Sequence, residues 1–111
     1  MKVARGGELL AEQWLELNGF HIEGEQVREE TAVLVDGRLH VSEVRVDYLA
    51  SRDDRKYLIE VKTGGKAPDP THPATRRQLL EYSILFPDRK ILLLDMAEKQ
   101  AHLIEFPWFQ D

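Results

Sequence analysis

The chain of 111 residues contains no cysteine. This absence excludes disulfide bonds, thiolate zinc sites, iron–sulfur clusters and a cysteine nucleophile. Long apolar runs are also missing, since the longest strongly apolar run, residues 91–94, is far shorter than the ~20 residues that cross a bilayer. The first residues lack the apolar segment of a secretory signal. We therefore expect one cytoplasmic domain over residues 1–111, with no membrane partner.

Basic residues are in deficit. The chain has 15 Lys and Arg against 20 Asp and Glu, which gives a net charge of −5. This balance argues against a broad basic surface of the kind that nucleic-acid binders usually carry. The acid excess lies in residues 1–60, whereas residues 61–80 carry four bases and one acid. A short basic segment therefore stands out in an acidic chain.

Apolar periodicity predicts a helix followed by a meander of strands in the first half of the chain. Asn18-Gly19 is a helix stop, Asp36-Gly37 a two-residue hairpin turn, and residues 51–54 a polar turn. The expected elements are a helix over 5–18 and strands over 26–35, 38–50 and 56–63.

Three prolines and two glycines in residues 64–73 predict a loop. Thr75 is the expected N-cap of a second helix that ends at Phe86, before Pro87. Strands are expected over 90–95 and 100–106. The order of elements predicts an α/β fold with a mixed β-sheet flanked by helices.

Charged side chains are expected to meet across two of these strands. Glu60 and Lys62 share one face because strand side chains alternate. If Asp53-Asp54 form a two-residue turn, Asp47 lies opposite Glu60, and Arg45 lies opposite Lys62. Regular alternation puts four residues of the preceding strand on its other face: Val44, Val46, Tyr48 and Ala50.

Two carboxylates this close repel each other unless a cation lies between them. Mg²⁺ is typically held by one or two carboxylates together with substrate phosphate and water. A Mg²⁺ or Mn²⁺ ion on Asp47 and Glu60 would polarise a phosphodiester and acidify a bound water. Lys62 would orient that water or neutralise charge on the phosphate. Glu8, near the start of the first helix, is a candidate third carboxylate.

These residues resemble the PD-(D/E)XK nuclease superfamily, whose common core is αβββαβ. Asp47 is followed thirteen positions later by Glu60-Val61-Lys62, within a stretch that reads EVKTG. Gly7-Glu8 is similar to the early acidic position of resolvase-like members, and the segment from Gln78 to Tyr82 is similar to the Q-x-x-x-Y motif of RecB-type nuclease domains. The resemblance covers residues 6–95. The sequence departs from the pattern at two positions, since Val46 stands where many members have Pro, and Arg45 where resolvase-like members often have an acid.

The resemblance implies a restriction-endonuclease-like core and a Mg²⁺- or Mn²⁺-dependent deoxyribonuclease, acting in DNA repair, recombination or the processing of phage and mobile-element DNA. It implies these catalytic residues: Asp47, Glu60, Lys62, Glu8, Gln78 and Tyr82. The implied metal ligands are Asp47, Glu60, Glu8 and the Val61 carbonyl.

Five residues around the second helix are candidates for DNA contact: Lys66, His72, Thr75, Arg76 and Arg77. Cations are unfavourable near a helix N-terminus, so a phosphate partner would account for the two arginines.

Two other interpretations remain open at this point. The first is a nuclease-fold module that does not cut but binds nucleic acid or a protein partner. The second is a homodimeric structural protein in which Glu60 and Lys62 are merely a solvated strand face.

Overall fold

The structure, a computed structural model, describes residues 6–63 and 69–107, with side chains from residue 9 onward. These residues form two helices and a five-stranded sheet. The elements are α1 (Gly6–Leu17), β1 (His21–Val35), β2 (Arg38–Arg52), β3 (Arg55–Lys62), α2 (Pro73–Leu85), β4 (Lys90–Asp95) and β5 (Gln100–Ile104). The predicted order of elements is confirmed. The first strand starts earlier than predicted, at His21.

The sheet is mixed, as its connections predict. The strand order is β1-β2-β3-β4-β5. Each neighbouring pair is antiparallel except β3 and β4, which are parallel because α2 lies between them in the chain. No helix in the part of the chain that the structure describes has the length and apolarity needed to cross a bilayer.

The two helices pack on opposite faces of this sheet. Ala11 and Leu15 of α1 belong to a buried cluster with Tyr57 and Ile59 of β3. Leu79 and Tyr82 of α2 belong to a second buried cluster. This cluster also contains residues of β4 and Leu58, which lies between Tyr57 and Ile59 on β3. Since alternate residues of one strand point to opposite faces, the sheet forms the middle layer between α1 and α2.

Backbone capping fixes where α1 ends. Gly19 has φ +86°, a left-handed conformation that glycine adopts without steric cost. The Phe20 amide donates to the Leu15 carbonyl at 2.9 Å, and the Gly19 amide donates to Glu16 at 3.1 Å. This Schellman pattern confirms the predicted stop at Asn18-Gly19.

The start of α2 differs from the prediction. His72, not Thr75, is the N-cap, and Pro73 occupies the first turn. Proline suits this position because its fixed φ is helical and a first-turn residue needs no N–H partner. Thr75 therefore lies inside the helix.

β1 and β2 extend past the end of β3 as a two-stranded ribbon. They stay paired from His21 opposite Ser51 to Val35 opposite Arg38, but β3 pairs with β2 only over residues 48–52. The outer part of this ribbon exposes several large apolar side chains: Val33, Leu34, Val35, Leu39 and Val41.

Candidate active site

The candidate site forms where β2 and β3 separate. Their paired residues run from Arg52 opposite Arg55 to Tyr48 opposite Ile59, which confirms the predicted register and the turn at 53–54. The ladder ends there, so Asp47 is not a backbone partner of Glu60. The predicted pairing of Arg45 with Lys62 is likewise wrong.

The side chain of Asp47 takes over where the ladder stops. Its Oδ2 accepts the Val61 N–H at 2.8 Å. A backbone donor that would otherwise lack a strand partner is thereby satisfied. The carboxylate is held at the edge of β3, one residue from Glu60.

Near Asp47, the side chains of β2 do not alternate regularly between the two faces of the sheet. Val46 packs in the cluster under α2, whereas Tyr48 packs in the cluster under α1. The predicted shared face of Val44, Val46, Tyr48 and Ala50 is therefore wrong. Gln26, on the neighbouring strand beside Asp47, has φ +51°, so the irregularity involves both strands. Gln26 Nε2 also lies 3.4 Å from Asp47 Oδ1.

Glu60 is the buried centre of the site, with its side chain 8% exposed. Lys62 Nζ lies 3.4 Å from Glu60 Oε2, and the Tyr82 hydroxyl lies 3.3 Å from Glu60 Oε1. The predicted common face of Glu60 and Lys62 is confirmed. Each carboxylate oxygen therefore has a partner of its own, one cationic and one neutral.

Electrostatics at Glu60 favour its protonated form. Burial, followed by the negative charge of Asp47, raises its pKa from 4.5 to about 7, although Lys62 and Tyr82 act in the opposite direction. Removing a carboxylate from water disfavours its charged state, and a second carboxylate adds to that cost. A bound cation would relieve both effects.

Tyr82 joins α2 to the strands at this site. Its hydroxyl lies 3.0 Å from the Arg45 carbonyl and accepts from Gln78 Nε2 at 3.1 Å. The predicted common helix face of Gln78 and Tyr82 is confirmed. Burial, then the charges of Glu60 and Asp47, raises the pKa of Tyr82 above 10.0, so the phenol remains neutral.

The proton count in this network depends on Glu60. The Tyr82 hydroxyl has one hydrogen but lies near two acceptors, the Arg45 carbonyl and Glu60. When Glu60 carries a proton, it donates to Tyr82, and Tyr82 donates to Arg45. When Glu60 is ionised, Tyr82 can satisfy only one of the two acceptors.

A cleft of about 450 Å³ opens beside Tyr82, between α2 and β2. Its lining contains two arginines, Arg45 and Arg77, together with Gln78. Two carboxylates, Glu43 and Glu81, also line it. The two carboxylates balance the two arginines in net charge, while the guanidinium groups supply the kind of donors that bind phosphate.

The carboxylate oxygens of Asp47 and Glu60 are ligands that suit a divalent cation. The described side chains supply two carboxylates at this site. No group of three or more His, Asp or Glu residues that could hold a metal occurs among the described residues. The side chain of Glu8, the predicted third carboxylate, lies outside them. Since the N–H and C=O of a strand residue point the same way, the Val61 carbonyl also faces the side where Asp47 lies.

The predicted DNA-contacting residues do not all lie at the cleft. Arg77 lines the cleft, whereas Arg76 is exposed, its guanidinium 3.5 Å from the Thr71 carbonyl. His72 caps α2 through its backbone, accepting from the Arg76 amide at 2.8 Å. Neither Thr75 nor Arg76 lines the cleft. Lys66 lies outside the described residues.

Sequence reasoning missed two residues of the site, Gln26 and Arg45. Gln26 carried no signal, because its role depends on a positive φ inside a strand. Arg45 was assigned to a pairing with Lys62 that does not form. The sequence did contain a signal for Arg45, since it is a cationic residue two positions before Asp47.

No protein-family model matches the sequence, and no curated protein matches it either. The fold is similar to that in the crystal structure of SSO0001, with a TM-score of 0.61 over 88% of this chain and 20% sequence identity. This chain spans about half, 48%, of the length of that protein. At this identity the similarity shows the fold alone, a mixed α/β domain with a five-stranded sheet and two helices.

Proposed function

We propose that this chain is a metal-dependent nuclease of the PD-(D/E)XK type, with a restriction-endonuclease-like core. The observation that carries the proposal is the convergence of Asp47, Glu60 and Lys62 where β2 and β3 part. Lys62 lies 3.4 Å from Glu60, and Asp47 is close enough to raise the pKa of Glu60.

In this proposal Asp47, Glu60 and the Val61 carbonyl hold a Mg²⁺ or Mn²⁺ ion, with Glu8 as an additional carboxylate. When bound, the ion supplies a Lewis acid for the phosphodiester and acidifies water. The raised pKa of Glu60 supports this assignment, because a buried carboxylate beside a second one gains from a cation.

The chain's own groups have distinct roles around that ion. Lys62, one-third exposed, orients the attacking water or neutralises charge that develops on the scissile phosphate. Tyr82 remains protonated and positions Glu60, while Gln78 fixes the Tyr82 hydroxyl. Arg45 and Arg77 bind the flanking phosphates from the cleft.

Cleavage assays test this proposal. Linear, single-stranded, flapped and four-way DNA would be incubated with Mg²⁺ or Mn²⁺, using the wild type and the variants Lys62→Ala and Asp47→Asn. We expect metal-dependent cleavage that falls by at least about 100-fold in both variants. Lys56→Ala is the matched control, because it removes an exposed cation of the same strand. This variant should cleave DNA like the wild type.

Two results would contradict the proposal. One is a wild type that cuts no DNA form with either ion. The other is cleavage that persists unchanged in Lys62→Ala, which would point to a contaminating nuclease. DNA binding without cleavage would instead favour a non-cutting module, and its salt dependence would report the number of phosphate contacts.

A further inference from the structure

A second cavity, of about 290 Å³, lies away from the carboxylate site. Its floor contains Phe20, Tyr57 and Leu92, which belong to the cluster under α1. Glu60, by contrast, lies on the face of the sheet that α2 covers, where it contacts Tyr82. The sheet therefore separates the two sites.

The lining of this cavity combines aromatic rings with positive charge. Three of its nine lining residues are aromatic (Trp14, Phe20 and Tyr57) and three are cationic (Arg52, Arg55 and Lys90). The other three, which include Leu103, are apolar. No acidic side chain is among the nine, although the chain carries a net charge of −5. The cavity therefore has a positively charged lining, which suits an anion, and an apolar floor.

Two of its three aromatic rings are already held in place. Phe20 and Tyr57 make an edge-to-face contact with ring centroids 5.3 Å apart. The Arg52 guanidinium lies 4.1 Å from the Phe20 centroid and donates to the Asn18 carbonyl at 3.2 Å. A cation stacked on a ring keeps its N–H edge available at the rim.

Among the described residues, the three cations at the rim have no ion-pair partner. Arg52 and Arg55 lie directly opposite each other on β2 and β3, a placement that is unfavourable for like charges. Lys90 is the neighbour of Tyr57 on β4. Asp53 and Asp54 of the intervening turn do not line the cavity.

We propose that this cavity binds a nucleotide, either free or as one unit of a nucleic-acid strand. The base packs against Trp14 and Leu103, and the phosphate is bound by Arg52, Arg55 and Lys90. Stacking of bases on aromatic side chains beside cationic groups is a general mode of nucleotide binding. A volume near the lower end of ligand pockets admits one base with its sugar rather than a longer apolar chain.

The test is an NMR titration of isotope-labelled protein without divalent metal, so that the carboxylate site contributes no bound ion. Four probes are compared: deoxyadenosine monophosphate, deoxyadenosine, inorganic phosphate and a short single-stranded oligonucleotide. We expect the monophosphate or the oligonucleotide to shift the Trp14 indole and the Arg55 amide. The nucleoside and phosphate alone should each bind at least about tenfold more weakly, because each lacks one half of the recognition.

Variants assign the binding to this cavity. The double variant Arg55→Ala with Lys90→Ala should weaken nucleotide binding about tenfold or more. Both residues are exposed, so their loss should leave the fold intact. Trp14→Leu should weaken binding of the nucleotide but not of phosphate. Arg38→Ala, at the exposed start of β2, is the matched cation control and should bind like the wild type.

The outcomes also separate this proposal from the nuclease proposal. Tighter binding of the oligonucleotide identifies a strand as the ligand, and equal or tighter binding of the monophosphate identifies a free nucleotide. Asp47→Asn should leave binding at this cavity unchanged, whether or not it abolishes cleavage. The proposal is overturned if the double variant binds like the wild type, if shifts occur only around Tyr82, or if phosphate binds as tightly as the nucleotide.

Discussion

The Asp47 carboxylate accepts the Val61 N–H at 2.8 Å. It thereby replaces the backbone partner that β2 does not provide beyond the pair Tyr48–Ile59. One side chain thus has two effects, since it satisfies β3 and places a negative charge beside Glu60.

Substitution separates these two effects of Asp47. Asp47→Asn retains a carbonyl oxygen that accepts the Val61 N–H, so the free energy of unfolding should change by less than about 1 kcal/mol. Asp47→Ala leaves that N–H without its acceptor and should cost about 1–2 kcal/mol. Urea unfolding at constant pH measures both. Equal destabilisation by the two variants would show that charge, not the hydrogen bond, is what matters for stability.

Stability should fall as the pH rises from about 5 to about 8 in the absence of metal. Glu60 ionises near 4.5 when unfolded and near 7 when folded, so over this interval the folded state binds more protons. Its contribution to the free energy of unfolding therefore decreases with pH, by about 1–3 kcal/mol. Unfolding curves at several pH values measure this.

Glu60→Gln is the matched variant for the pH dependence, because it keeps the shape and removes the ionisation. It should flatten the pH profile and be more stable than the wild type at pH 8. A wild-type profile that is flat, or one that the variant leaves unchanged, would contradict the raised pKa.

Tyr82→Phe should destabilise the protein by about 1–2 kcal/mol, because it removes a buried hydroxyl that bridges α2 and β2. The ring itself, 1% exposed, keeps its packing. Since the hydroxyl stabilises ionised Glu60, the same variant should raise the Glu60 pKa. Ser83→Ala is the control, because among the described residues the Ser83 hydroxyl donates to the Leu80 carbonyl of its own helix alone. This variant should leave the Glu60 pKa unchanged.

Amide hydrogen exchange should be faster in the outer part of the ribbon than in β3 and β4. Within the described residues, segments 29–35 and 38–41 pair with each other and with no further strand, and an isolated two-stranded hairpin is marginally stable. Exchange followed by NMR or mass spectrometry should show at least about tenfold lower protection there. Equal protection of the ribbon tip and of Ile59 would indicate that another surface covers the ribbon.

The sequence alone determined the order of the elements and most of their bounds. Apolar periodicity, the Asn18-Gly19 stop and the two hairpin turns are local signals, and each acts over a few residues. The same locality fixed the register of β2 on β3, because a two-residue turn at 53–54 allows only one pairing. Likewise, the spacing of Gln78 and Tyr82 placed them on one helix face.

Tertiary structure decided how the site is assembled. The two-residue turn predicted a backbone pair of Asp47 with Glu60, but the β2–β3 ladder stops at the pair Tyr48–Ile59, and Val46 and Tyr48 lie on opposite faces of the sheet. The positive φ of Gln26 on the neighbouring strand accompanies that change of face, and Val46 packs with residues of α2; a strand pattern encodes neither. The rim of Arg52, Arg55 and Lys90 likewise arises only when three strands meet. Local sequence fixes which residues share a strand, whereas the free energy of packing against distant elements fixes where each strand ends.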